Sequence, residues 1–467
     1  MENKRDLKFS LILAGGGVRL AYHAGVLKAL EEEGLVFNHV DGTSGGIFGT
    51  AMMASGISPT EAAKRWRELK LRGFMAMLPL KSYFSRHNLS AIGSASGIRR
   101  KIFPALGIDL KKINSLTAFD ATFNVCNFSN KTIEAIHHTA VTEDHLIAGM
   151  SLPMFMPAVK INDCWFTDAV WIKDANLTEA INRGAEEIWL IWCIGNTQRF
   201  LNGTLNQYVH MIEMSASGGL FTEIELLRQT NKSRLEKGLQ SIRLHIIKPK
   251  SPLPLDPDFL LNRIDADTLI NMGYADAKQY LENKQAFDLD LAAEQTTKMK
   301  EPGITVHFRQ QFQGKISLNM GDLYVQIKLS FFLREVNHQV SAELFSSISI
   351  DGQHFISGHR NQIMNTTKNL IQLSFIVIFN KREYRITVEF KLSNTVNFLI
   401  GLEGKIAIVY VYDDKKRSVP YLLHQPAINR LKNAFYLNTT SEAGWFTKRK
   451  AKLRILKAFF ENNLIDF

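Results

Sequence analysis

The first part of the chain alternates short apolar runs with longer amphipathic ones. Phe9–Leu13 is apolar and leads into Gly15-Gly16-Gly17. From Val18 to Glu33, Ala21, Ala24, Val26, Leu27 and Leu30 recur at helical spacing, and Gly34 follows as a stop, so the pattern predicts strand, turn, helix. Leu35–Val40 predicts a second strand, which runs into Asp41-Gly42-Thr43-Ser44-Gly45-Gly46 and a second helix reaching Met53. Pro59–Leu71 predicts a helix capped by Ser58, Ala121–Asn127 and Thr132–Ile136 a pair of strands, and Glu187–Ile194 a buried strand. Strands alternating with helices in this order predict an α/β layer fold on a largely parallel sheet.

Near residues 285–303 the pattern changes. Lys298, Lys300, Pro302 and Gly303 mark a linker, and the runs that follow alternate apolar and polar positions: Ile304–Phe308, Leu323–Phe332, Gln339–Phe345, Gln372–Phe379, Tyr384–Phe390 and Lys405–Tyr412. Strands separated by polar turns predict a β-sandwich or barrel. Trp445–Asn463 closes the chain with a helical pattern, placing Leu453, Ile455, Leu456, Phe459 and Phe460 opposite Lys448, Arg449, Lys452 and Lys457. The expected organisation is a domain at 1–285, a linker at 286–303 and a smaller, basic, β-rich domain at 304–467.

Composition narrows the function classes. The 467 residues are 45% hydrophobic and 22% charged, which fits a globular chain and excludes a mostly disordered one. The charged start Met1–Lys8 and the short apolar run after it predict no signal peptide, and no stretch approaches the ~20 apolar residues of a bilayer-crossing helix. Cys126, Cys164 and Cys193 fit neither a disulfide framework nor a zinc site. A cytoplasmic location, with peripheral attachment to a membrane, and no metal or cofactor are expected. The net charge of +11 is concentrated late in the chain: residues 1–300 hold 34 Lys/Arg against 32 Asp/Glu, and residues 301–467 hold 22 against 13. Such a region favours an anionic partner. A nucleic acid is disfavoured because no recognisable nucleic-acid-binding module accompanies the charge.

Two glycine-rich turns carry candidate chemistry. Ser44 sits in Gly42-Thr43-Ser44-Gly45-Gly46, a G-x-S-x-G between a predicted strand and a predicted helix. A tight strand-to-helix turn presents a serine hydroxyl above the sheet, small neighbours relieve its crowding, and the helix N-terminus favours developing negative charge. The motif alone is common in glycine-rich loops. Gly15-Gly16-Gly17-Val18-Arg19 is the second turn, a set of uncovered N–H groups with a cation beside them, suited to an anion or to tight packing. It fails as a dinucleotide fingerprint because Leu20 occupies the third glycine position. Only 43 residues precede Ser44, too few for an α/β-hydrolase, and His23, His137 and His138 offer no privileged base. An aspartate contacting the serine directly, as a dyad, is an alternative to a histidine base.

The chain resembles the patatin-like phospholipases over about residues 8–280. The G-G-G-x-R-G motif of that family appears as Gly15-Gly16-Gly17-Val18-Arg19-Leu20, followed by Gly25-Val26-Leu27 and Leu30-Glu31; its G-T-S-x-G appears as Gly42-Thr43-Ser44-Gly45-Gly46. A small-residue, proline and phenylalanine segment, Ala148–Pro157, precedes the position of the family's aspartate, Asp168. Leu20, Ala169-Val170 and Asp174-Ala175-Asn176 depart from the family's glycine, its Gly-Gly or Gly-Ala, and its Asn-x-Pro.

The resemblance implies a three-layer α/β/α domain with a mainly parallel sheet. It also implies a serine lipid acyl hydrolase of phospholipase A type, with Ser44 and Asp168 as catalytic dyad. Gly15, Gly16, Gly17 and Arg19 would form the oxyanion hole, and Gly42, Thr43, Gly45 and Gly46 the nucleophile turn. The implied substrates are phospholipids or other acyl esters, and the implied metal is none. A transacylase using the same acyl-enzyme and a lipid- or protein-binding descendant are the competing readings. The apolar residues Leu71, Phe74, Met75, Met77, Leu78, Leu80, Tyr83 and Phe84, among Arg72, Lys81 and Arg86, suit a membrane-facing lid or an amphipathic core helix. The basic late domain suits an anionic membrane surface or a protein partner.

Overall fold

The computed structural model describes residues 8–69, 76–77, 91, 93–194, 200, 202–250, 253, 265–283, 286, 293, 297–299, 304–318, 321–336, 339–356, 370–391, 406–413, 416–417, 420–426, 438–440 and 445–462. The chain divides into two compact units, Met1–Glu301 and Pro302–Phe467.

The first unit is built on an eight-stranded sheet. Its strands are β1 (Phe9–Leu13), β2 (His39–Thr43), β3 (Asp120–Asn127), β4 (Thr132–His137), β5 (Val159–Ile161), β6 (Cys164–Asp168), β7 (Glu187–Ile191) and β8 (Arg243–Ile247). The order is β8-β7-β1-β2-β3-β6-β5, with β4 also on β3. Strands β8, β7, β1, β2 and β3 are parallel, whereas β4 and β6 join β3, and β5 joins β6, in antiparallel pairing.

The alternation of side chains along each strand separates two helical layers. On one face Ile12, Ile188, Leu190, Leu244 and Ile246 pack against α5 (Leu177–Asn182) and α6 (Thr204–Glu236), whose Ala216, Leu220, Ile224 and Leu227 recur at helical spacing. On the other face Leu13 lies under α2 (Gly46–Ala54), and Trp189 and His245 meet Tyr280 of α7 (Ala266–Asn283). The first unit is therefore a three-layer α/β/α fold with a mainly parallel sheet.

The expected boundaries shift by a few residues. The helix expected from Val18 begins as a 3-10 turn, Gly17–Leu20, and continues as α1 (Ala21–Glu32). The second strand starts at His39 rather than Leu35. Helix α3 (Pro59–Glu68) is capped by Ser58, whose side chain accepts the Glu61 N–H, and α4 (Glu143–Gly149) lies between β4 and β5 in the chain. Of the apolar segment at 71–86, the described residues are Ala76 and Met77, a two-residue strand paired with Gly93–Ser94; the rest of that candidate lid lies outside the described residues.

The second unit is one ten-stranded antiparallel sheet, curled towards a barrel, rather than two packed sheets. Its strands are longer than the apolar runs suggested: Ile304–Leu318 pairs along its whole length with Gly321–Val336, and that strand pairs with Gln339–Ile350. In Gly321–Val336 every second residue from Leu323 to Leu333 is buried, which puts one face of the sheet on the core. The closing helix α8 (Trp445–Asn462) buries Ile455 and Leu456 in this core. Part of the apolar face of this helix is thus covered by its own sheet, while Leu453 is exposed and the side chains of Phe459 and Phe460 lie outside the described residues. Among the described residues no helix is long and apolar enough to cross a membrane.

Candidate active site

Sheet register brings Ser44 to Asp168. Strand β2 lies along one edge of β3 from Asp120 to Asn124, and β4 covers the other edge. Beyond the end of β2, the edge it leaves is taken by β6 running the opposite way, with Asp168 opposite Val125. The last pairs are Thr43 with Asn124 and Asp168 with Val125, so the two strands end facing each other on adjacent residues of β3. Ser44 is the next residue after Thr43. Its Oγ–H donates to Asp168 Oδ2 at 2.6 Å.

The turn that holds Ser44 is strained. Ser44 has φ +51, in the left-handed region that a non-glycine residue rarely occupies, and α2 starts two residues later with Gly45 as its N-cap. Glycine is required around it for space. A Cβ on Gly46 would lie 1.9 Å from the Leu13 carbonyl oxygen, and one on Gly42 would lie 2.5 Å from Thr50 Oγ1. Thr43 is buried, and its Oγ1 accepts from Asn124 Nδ2 at 2.9 Å.

Asp168 is 1% exposed. Burial pushes its carboxyl up to about 7, while the bonds from Ser44 and from the Val170 N–H, at 2.9 Å to Oδ1, pull the other way. A carboxylate so placed is a stronger base than one in water and still ionises near neutral pH.

The glycine turn closes the site from β1. A Cβ on Gly15 would lie 2.2 Å from Asp174 Oδ1 and 3.0 Å from Ser44 Cβ, so Gly15 fits between those two side chains because it has none. Its N–H donates to Asp174 Oδ1 at 2.9 Å, which ties that amide to the protein and leaves it turned away from a ligand. Gly16 sits against Cys193, 3.0 Å from its Cβ to an added Cβ, and its carbonyl accepts the Arg19 N–H at 3.1 Å. The Arg19 side chain is buried, and its charge acts to lower the pKa of both Asp174 and Cys193.

A polar network under the site was not anticipated from the sequence. Thr122 Oγ1 and Asn124 Nδ2 each donate to the Asp41 carboxylate at 2.6 Å, and Asn176 Nδ2 donates to Asn124 Oδ1 at 2.8 Å. Burial pushes Asp41 up to about 7 against those two bonds. His39 continues the network between Ser10 and Thr122, and burial lowers its pKa to about 3, so it is neutral. His39 and Asp41 stand on alternate positions of β2, and Thr122 and Asn124 on alternate positions of β3; this period-two pattern of polar residues in buried strands is the signal the sequence carried.

Among the described residues no histidine hydrogen-bonds to Ser44 or Asp168. His23 is buried beside Leu20, Leu27, Met52 and Trp66, has no hydrogen-bond partner on either ring nitrogen, and is lowered by burial to about 3. Asp120, His137 and His138 bring ligand atoms within 4.8 Å of one another. Both His138 nitrogens are engaged by backbone, at Ala121 N and Leu116 O, and Asp120 pairs with Arg183. This cluster secures its own strands and does not present a metal-ready set of lone pairs.

Residues 11–181 match the family model described as patatin-like phospholipase, a span that begins in β1 and contains both glycine turns, Ser44 and Asp168. The chain carries a patatin-like domain. Lysophospholipase nte1 of Aspergillus oryzae is 26% identical over 293 residues, covering 58% of this chain and 18% of that protein. Lysophospholipase NTE1 of Saccharomyces cerevisiae is 25% identical over 190 residues, 39% of this chain and 10% of the relative. The patatin-like domain and its flanks thus span less than a fifth of the length of these relatives. A solved structure, VipD from Legionella pneumophila, aligns over 61% of this chain and 68% of its own at 12% identity and a TM-score of 0.32, too loose a likeness to argue from.

Proposed function

We propose that the patatin-like domain is a serine lipid acyl hydrolase of phospholipase A type working through a Ser44–Asp168 dyad. The observation that carries this reading is the 2.6 Å hydrogen bond from Ser44 Oγ to a buried carboxylate, made by a serine held at positive φ on a strand-to-helix turn. The relatives named lysophospholipases favour a single-chain phospholipid as substrate.

In this mechanism Asp168 takes the Ser44 proton as Oγ attacks the ester carbonyl carbon. Negative charge gathers on the carbonyl oxygen, where the amides of Gly16 and Gly17 and the N-terminus of α2 stabilise it. As the tetrahedral species collapses, Asp168 returns the proton to the departing alcohol and Ser44 is left as an ester. Asp168 then removes a proton from water, the water attacks the acyl-enzyme, and the fatty acid leaves with Ser44 reprotonated. Gly15 supports the turn instead of donating to the oxyanion, because Asp174 holds its N–H.

The test is direct. A fluorophosphonate probe should add one covalent label at Ser44, seen by peptide mass mapping, and the protein should release fatty acid from lysophosphatidylcholine. Ser44→Ala should lose both. A Ser44→Ala protein that releases fatty acid at the normal rate overturns the dyad.

A further inference from the structure

The proton transfers just described leave one buried acid beside the dyad without a task. Asp174 is fully buried, its Oδ1 accepts the Gly15 N–H, and its Oδ2 has no hydrogen-bond partner. Gly15 touches both Asp174 and Ser44, so the carboxyl of one residue and the nucleophile of the other are separated by a single glycine.

We propose that Asp174 is a positioning residue that, held as a neutral acid, grips the Gly15 amide and fixes the glycine turn against Ser44; the inference rests on the acyl-hydrolase reading. The geometry gives the reason. An ionised carboxylate with one oxygen buried and without a protein donor is costly, whereas a neutral acid keeps a carbonyl-like oxygen for Gly15 and places its proton on the other.

The charges around it point the same way. Asp168 at the end of β6 is a like charge whenever it serves as base. Arg19, on the 3-10 turn, is the cation acting on Asp174, and Cys193, after β7, is pushed far up by burial and remains a neutral thiol. Two carboxylates this close favour a single negative charge, and the chemistry requires that charge on Asp168. Burial first and Asp168 second raise the Asp174 pKa well above its ordinary value, and the Gly15 bond and Arg19 only partly oppose them. The grip matters because a displacement of the oxyanion donors by about 1 Å costs on the order of 10²-fold in rate.

The experiment compares the full-length protein with its Asp174→Asn and Asp174→Leu forms. Steady-state kcat and KM are followed against pH on a soluble p-nitrophenyl ester, and hydrogen exchange is followed at the Gly15 amide. Asparagine keeps the acceptor and the neutral state, so it should retain most of kcat, leave the acid limb set by Asp168 in place and keep the Gly15 amide slow to exchange. Leucine keeps the size and removes the acceptor; kcat should fall about 10²-fold with KM little changed, the scale of a misplaced reacting geometry, and the amide should exchange fast. The proposal is overturned if leucine matches the wild type in kcat and exchange, or if asparagine is as impaired as leucine. It is equally overturned if asparagine moves the acid limb down by about a unit or more, because the native residue was then a charge. If the leucine form does not fold, the asparagine profile decides. The exchange readout does not depend on turnover, so a failure of Ser44 to react with fluorophosphonate would remove the hydrolase reading without being mistaken for a failure of the grip.

Discussion

At the scale of single residues, the site keeps its acids buried. Asp168 is protonated in the fold up to about pH 7 and in the unfolded chain only within the ordinary carboxylate range near pH 4. A pKa raised by folding means that stability is full at low pH and is lost as pH rises between those two values. The difference corresponds to about 4 kcal/mol once Asp168 is ionised in both states. Asp168→Asn should therefore abolish ester hydrolysis and, relative to the wild type, gain much more thermal stability at about pH 8 than at about pH 4. Calorimetry at both pH values checks this, and an equal change in Tm at the two would show that the burial of a charge is not the cost. Ser44 was legible in its motif, and so was Asp168 by resemblance. Asp174 was legible only as a residue out of pattern, because what gives it meaning is an amide 159 positions earlier in the chain.

At the scale of elements, helix α1 illustrates how a local signal acquires its reason elsewhere. Gly25 belongs to a motif following the glycine turn, and nothing near it in sequence explains a glycine inside a helix. A Cβ there would lie 2.0 Å from the Ile270 carbonyl oxygen of α7, and a Cβ on Gly273 of α7 would lie 2.1 Å from the Tyr22 carbonyl oxygen of α1. The two helices cross backbone to backbone, each supplying a glycine. Gly25→Ala should force them apart and cost about 1–3 kcal/mol, the range for overpacking, with a lowered Tm and with kcat largely retained in the protein that remains folded. An unchanged Tm would mean that the crossing adjusts freely. Helix α6 makes the opposite point. Its buried Ala216, Leu220, Ile224 and Leu227 have helical spacing, but apolar side chains also occur around the rest of this long helix, including the exposed Met211, Met214 and Leu226, so the stripe does not stand out by pattern alone.

At the scale of the whole molecule, the uneven charge is the property most open to test. We propose that the late basic excess attracts an anionic membrane; of the apolar residues of α8, Ile455 and Leu456 are taken up by the core of their own unit. Attraction by charge alone is screened by salt. Full-length protein should co-sediment with phosphatidylserine vesicles at about 0.1 M salt and be released at about 1 M, where the Debye length shrinks from ~10 Å to ~3 Å. Binding that ignores salt would mean that apolar contact, or another partner, holds the protein. Local pattern was enough to give the class of each half, since periods of 3.6 and 2 follow from how helices and strands bury one face. It also determined the two glycine turns, because close approach and positive φ restrict which residues fit. Tertiary structure alone decided which strands end against each other on β3, and hence that Ser44 meets Asp168. It also decided that Asp174 takes the Gly15 amide and that Ile455 and Leu456 of the last helix turn inward. These are choices between partners far apart in the chain, set by register and packing, and a local pattern carries no record of the partner.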